Sequence, residues 1–275
     1  MLMSRGFGLA ALWSPFFVAM GLALTLAPGA RLLPVSLGGL AVAMPALLLT
    51  GLLLCRRDDI DTFAGYPMHA EALRLPLLLV VIVAISHELA PALGIITLIT
   101  ISALLLPLAV LLRGNGAAGL RQYRAHIETT LPGMAGELLL FLAAGILTAG
   151  IASWVHFSGF TLQLTHFGAL EAAGLVGFSA LAASFGIHPL ISVSSLAGML
   201  LPITDNLDLL ALSILMSWSL GVILSPCSGT HLAMQGRFGI SGFRMMAWNW
   251  RFCLLLFALD ALVLGLFERL GQGAA

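Results

Sequence analysis

The sequence predicts an all-α integral membrane protein of about nine transmembrane helices, some of them discontinuous. Three observations lead there. Of 275 residues, 60% are hydrophobic and only 9% are charged, against roughly 25% charged in soluble domains. A globule so poor in polar side chains has no means of covering its surface in water. The apolar residues are gathered into runs of about 20, the length that crosses a bilayer as a helix. Two of those runs are interrupted by Pro, Gly and hydroxyl residues at a depth where lipid is expected, which is costly unless the freed backbone lines a cavity. Composition excludes a soluble binding module, and a net charge of zero gives no basic field for nucleic acid.

The first apolar run covers residues 6–27 and contains Trp13-Ser14-Pro15, a kink signal because proline lacks the backbone donor. Arg5 before an apolar run has the outline of a secretion signal. Pro28 sits badly for cleavage after Ala27, so an uncleaved first span is expected. The second run, 34–55, is closed by Arg56-Arg57-Asp58-Asp59. The third, 75–88, is short and is joined to the fourth, 91–112, by the tight connection Ser86-His87-Glu88-Leu89-Ala90-Pro91. In 113–131, Arg121, Arg124 and Glu128 interleave with Leu120, Tyr123 and Ile127, the spacing of a helix lying in the interface.

Runs five to seven cover 132–156, 167–185 and 187–203. The eighth, 209–236, is long and broken at 225–230. The ninth, 245–267, opens with Trp248, Asn249 and Trp250, which read as interfacial anchors. With a cytoplasmic N-terminus, Arg5, Arg56, Arg57, Arg74, Arg113, Arg121, Arg124, Arg237 and Arg244 fall inside. Arg31 and Arg269 fall outside with Asp205 and Asp208, and Arg251 snorkels to the inner face. That asymmetry is the positive-inside pattern. It places the chain as a multi-pass protein of the cell inner membrane with its C-terminus outside. Two membrane repeats are expected, 1–131 and 132–275. Placing Trp13 on Trp218 aligns Thr25 with Thr230 and Ser36 with Ser241. The two copies cross in opposite directions, so the repeat is inverted, as in many transporter folds.

Chemistry is expected at the interruptions. Ser225, Cys227, Ser228 and Thr230 are small polar side chains, and Pro226 and Gly229 free carbonyls from the helical ladder. Free carbonyls suit Na⁺, and the start of the next half-helix, which carries His231, suits an anion. The alternative is a plain kink whose hydroxyls bond back to the i−4 carbonyl. Ser192, Ser194 and Ser195 follow Gly186-Ile187-His188-Pro189 and serve either a site or close helix packing. Asp260, within the ninth run, and Glu88, at the hairpin, are the coupling candidates. An intramembrane carboxylate is costly unless protonated, paired or wet, and an outer-interface position is the alternative for each. Glu137 and Glu171 read as structural. The 7 histidines include no HxxxH or HExxH pair, and Cys55, Cys227 and Cys253 form no CxxC. No resident metal and no disulfide framework are expected.

Residues 137–267 resemble the ion transporter superfamily, which includes divalent-anion/Na⁺ symporters, arsenite permeases and the large (TRAP-type) subunits of carboxylate transporters that depend on a periplasmic binding protein. The resemblance is carried by Leu138-Leu139-Leu140-Phe141-Leu142-Ala143-Ala144-Gly145, Gly186-Ile187-His188-Pro189 and Ser225-Pro226-Cys227-Ser228-Gly229-Thr230. It implies an unwound Ser/Thr/Pro-rich segment that helps bind cation and anion, with Ser225, Cys227, Ser228, Gly229 and Thr230 lining the site. The Asn that family members carry in that segment is missing here, and the first repeat is shorter.

These expectations describe a secondary active transporter, not an enzyme. It moves a small anionic solute by alternating access, coupled to Na⁺ or H⁺, with no other cofactor. Its partners are membrane lipid, the solute, and either a second copy in a homodimer or a partner membrane subunit. The first alternative is a non-transporting membrane subunit of a larger complex, and the second a membrane-embedded metalloenzyme.

Overall fold

The computed structural model describes residues 1–54, 70–90, 93–159 and 163–272, and every element in them is helical. Two compact units result: Met1–Asp58 with Phe141–Ala275, and Asp59–Leu140. The expected boundary at 131/132 is not the one the packing makes, because the first three helices pack with the C-terminal ones.

The first unit is built around one helix, α9 (Leu207–Leu224), whose sequence LDLLALSILMSWSLGVIL is apolar on every face. A helix of that kind has to be enclosed, and every residue from Asp208 to Ile223 is buried. Around it pack α1 (Leu2–Ala10), α2 (Val18–Leu26), α3 (Leu32–Leu54), α7 (Ala169–Ser184), α8 (Pro189–Leu200) and α11 (Gly242–Gln272). Small residues permit the close approaches. A Cβ at Gly8 of α1 would overlap the Ile223 side chain, and one at Gly221 would overlap Pro189 of α8.

The expected first crossing is two helices. The chain leaves α1 at Ala10 and re-enters a helix only at Val18. Gly8 lies beside Ile223, near the end of α9, and Gly29 lies beside Leu207, at its start. The α1–α2 pair therefore runs the length of α9 in the opposite direction. The kink signal at Trp13-Ser14-Pro15 becomes a full interruption, with Ser14 N–H still reaching the Ala10 carbonyl at 3.0 Å.

After α9 the chain breaks at 225–228 and continues as α10 (Gly229–Phe238). The residue before a proline is pushed out of the helical region, and Ser225, before Pro226, is extended at φ −71, ψ 126. His188, before Pro189, is extended in the same way at φ −65, ψ 134. The α7–α8 turn passes through Gly186 at φ 89, a conformation that glycine adopts at no steric cost.

The second unit holds α4 (Arg74–Leu89) packed on α5 (Ile95–Thr130). At Gly116 the backbone takes φ 51, ψ −130, and α5 reverses direction there. Tyr123 Oη donates to the Leu104 carbonyl at 3.0 Å, so the later limb lies along the earlier one. Residues 113–131 were expected as an interfacial helix; they form instead the turn and return limb of a helical hairpin. α6 (Ala135–Ser158) carries the boundary between the units.

Among the described residues four stretches are long and apolar enough to cross a membrane: Leu32–Leu52, Ile96–Thr130, Leu207–Phe238 (α9 with α10) and Gly242–Gly271. Arg74–His87, Ala169–Ser184 and Pro189–Ile203 are apolar but shorter. The protein is thus an all-helical chain suited to a membrane.

Candidate functional site

The two interruptions expected in runs seven and eight meet in space. Pro189 packs on Gly221, the His188 ring meets Trp218 edge-on at 5.5 Å, and Gly186 faces the Cys227 sulfur. Both lie at the same end of α9. At 1.5 Å per residue the 18 residues of α9 span about 27 Å, close to the ~30 Å of a hydrocarbon core. The break therefore lies at the C-terminal end of α9.

Within the break most polar groups bind one another. Ser225 N–H closes α9 on the Gly221 carbonyl at 2.8 Å, and Ser228 N–H returns to the Ser225 carbonyl at 3.3 Å. Ser228 caps α10, its hydroxyl accepting His231 N–H at 3.3 Å. The Ser225 hydroxyl accepts Cys227 N–H at 3.3 Å. His231 is fully buried. Its Nδ1 lies 2.7 Å from the Ser225 carbonyl and its Nε2 2.8 Å from Ser4 Oγ. A carbonyl only accepts, so in the neutral ring Nδ1 carries the hydrogen and Nε2 accepts from Ser4. The imidazole thus ties α1 to the break. The Pro226 carbonyl packs against Gly242 so closely that a Cβ there would overlap it.

Two of the expected residues stay available. Cys227 is exposed. The Thr230 hydroxyl is enclosed yet has no hydrogen-bond partner, and Gly229 beside it faces open space. The serines of α8 do not join this cluster. Ser192 is buried and Ser195 Oγ is partnerless, but α8 runs back along α9 from Pro189. Ser195 is six residues past the Pro189–Gly221 contact in one direction and Ser225 four beyond it in the other, about 15 Å apart in rise. Ser194, beside them, is half-buried.

Arg5 and Asn249 were not expected here. Arg5 is buried, donates from Nε to Asn249 Oδ1 at 2.9 Å and lies 4.3 Å over the Phe252 ring. Asn249 is fully buried and donates to the Met245 carbonyl at 3.0 Å. Of the expected Trp-Asn-Trp anchors, only Trp248 and Trp250 face outward.

Asp260 lies apart from the break. It is 1% exposed, and neither carboxyl oxygen has a hydrogen-bond partner among the described residues. The side chain is therefore enclosed by protein. An ionised carboxylate at a helix centre in lipid costs about 3 kcal/mol on insertion scales and more on others. The side chain of Glu88 is outside the described ones.

The opposite end of α9 holds a cleft of about 600 Å³ lined by Arg31, His166, Asp205, Asp208 and Glu268, among others. Asp208, in the first turn of α9, accepts from Arg31 N–H and from Nε and Nη2 at 3.0 and 2.7 Å. Glu171 Oε2 accepts Gly168 N–H at 2.9 Å and so caps α7. A Cβ at Gly168 would sit 2.6 Å from Glu268 Oε1 and 3.3 Å from Glu171 Oε2, so the two carboxylates lie within about 6 Å of each other. Among the described residues no three His, Cys, Asp or Glu side chains converge as a metal site.

Comparison with family models, curated proteins and solved structures finds no match to this chain.

Proposed function

We propose that this protein is a secondary transporter, a permease for a small anionic solute coupled to Na⁺ or H⁺. In this reading nine crossings form an inverted repeat in the inner membrane. The observation that carries it is the meeting of two helix interruptions, 186–188 and 225–228, in an apolar bundle. Irregular backbone at a membrane helix is tolerated where it lines a cavity, and half-helix starts are the usual solute contacts of transporters. The solute group binds at the start of α10, where Gly229 leaves space and Thr230 holds an unused hydroxyl. The antiparallel broken pairs α1–α2 and α9–α10 support the repeat.

A ligand that binds the folded state raises the apparent melting midpoint. Purified protein is scanned against succinate, citrate, sulfate and phosphate, with and without Na⁺, at two pH values. At least one anion raises the midpoint, and Thr230→Val removes the shift without lowering the ligand-free midpoint, since that hydroxyl bonds no described residue. A flat response in the wild type rejects this reading in favour of a membrane subunit.

That second reading has its own support in α6. Leu138, Leu142, Ile146, Trp154 and Phe157 are all exposed along it. An exposed apolar helix face of this kind suits lipid or a partner, either a second copy or another subunit. Co-purification of a stoichiometric membrane partner would favour it.

A further inference from the structure

We propose that Asp260 is a proton-exchange site inside the bundle, reached from the cleft at the start of α9. The inference rests on the transport reading only for the use made of the proton.

Asp260 occupies an apolar position. Asn249, Phe252, Cys253, Leu256, Asp260, Val263 and Leu264 form the buried stripe of α11. Its depth follows from the contacts of α11. Gly168 meets Glu268 and Gly177 meets Phe257, so α7 runs antiparallel to α11 and brings Leu175 and Val176 level with Asp260. Ala183 of α7 meets Gly221 of α9, and at that offset Leu175 and Val176 lie level with Ser213 and Ile214 of α9.

Among the described residues no charged partner faces it. On α7 the charged group is Glu171, in the first turn and near Glu268. On α9 it is Asp208, in the first turn and held by Arg31. Between Leu32 and Leu54, α3 has no ionisable residue. His231 and Arg237 belong to α10, at the far end of α9. Arg5 of α1 is engaged at Asn249 and Phe252, two turns away. On α11 itself the nearest ionisable groups are Cys253 and Glu268. Ser213 and Ser217 donate to carbonyls of their own helix, each at 2.7 Å.

The same geometry selects a proton over a metal cation. A hard cation needs several oxygen ligands. At this level α7, α9 and α11 are unbroken, and their carbonyls are held in the helix ladders. A proton needs one carboxyl oxygen and no cage. The cleft is the nearer polar end of the bundle. Glu268, on the cleft, is eight residues from Asp260, about 12 Å, whereas Asn249 is eleven residues away, about 16 Å.

Infrared difference spectra of the full chain in lipid, recorded through a pH titration, read the C=O stretch of a protonated carboxyl directly. The expected result is a band that is lost in Asp260→Asn, displaced in Asp260→Glu and unmoved by Na⁺ at fixed pH. It shifts on transfer to D₂O, and Glu268→Gln slows that shift severalfold. Absence of any Asp260-dependent band across the titration of folded protein overturns the proposal. So does a band that Na⁺ removes at constant pH, which assigns the site to a metal cation. An unchanged D₂O rate in Glu268→Gln overturns the cleft route. No solute is present, so these outcomes are independent of whether any anion shifts the melting midpoint.

Discussion

The break after α9 and the middle of α11 are polar interiors of opposite kind. At the break, Ser225, Ser228, His231 and Ser4 spend their groups on one another. In α11 a carboxyl sits among Leu256, Val263 and Leu264 with no hydrogen-bond partner among the described residues. The irregular segment is thus the satisfied one, and the regular helix carries the unmet demand. A satisfied network stabilises and a lone buried polar group costs. Polar residues there should consequently have opposite mutational signs, and opposite signs are easy to measure.

The largest effect is expected at His231. His231→Ala leaves the buried Ser4 hydroxyl and Ser225 carbonyl unpaired and opens a cavity between α1 and the break, a loss of about 3 kcal/mol. The apparent melting midpoint in detergent should fall by several degrees. An unchanged midpoint would mean that the imidazole bridge holds nothing, and the contrast with Asp260 would collapse.

Asp260→Leu should move the midpoint the other way. Replacing an unpaired buried carboxyl by an apolar residue of similar size removes a desolvation cost, and a gain of about 2 kcal/mol is expected. Any activity that depends on the carboxyl is lost in the same variant. Destabilisation by Asp260→Leu would show that the carboxyl has a partner in the membrane that the fold itself does not supply.

The two regions also differ in how legible they were. The break could be read from Ser225-Pro226 alone, because a proline forces the residue before it out of the helix. What the hydroxyls do there could not be read, because their partners are remote: Ser4 meets His231 across 227 residues and Arg5 meets Asn249 across 244. The same distance hid the burial of Arg5, which looks like any flanking arginine in the sequence. Asp260 was visible because a carboxylate in an apolar run is conspicuous whatever surrounds it. The reversal at Gly116 had a local signal, Gly114-Asn115-Gly116, but amphipathic spacing in 120–128 pointed equally to an interfacial helix. The unit boundary was invisible, since it depends on α1–α3 packing against α9 far along the chain.

Ser228→Ala is expected to be smaller, costing about 1 kcal/mol, the ordinary worth of an N-cap hydroxyl. Ser228→Gly should lose only a few tenths of that scale, because glycine tolerates the cap conformation. Equal losses in the two variants would assign the serine a contact other than the cap.

The smallest effect belongs to the cleft. The Arg31 side chain is 76% exposed while that of Asp208 is 8% exposed, so the pair lies between a surface bridge and a buried one. Arg31→Ala removes the guanidinium but keeps the backbone N–H that Asp208 also accepts. The carboxylate also stays in the first turn of α9, where the helix dipole favours it. The loss should be about 0.5 kcal/mol or less and should shrink further as salt is raised. Asp208→Ala takes away the backbone contact as well and should cost about 1 kcal/mol more. If Arg31→Ala were instead the costlier of the two, the guanidinium would be holding the mouth of the cleft together. The charged end of α9 would then be as tightly built as its broken end.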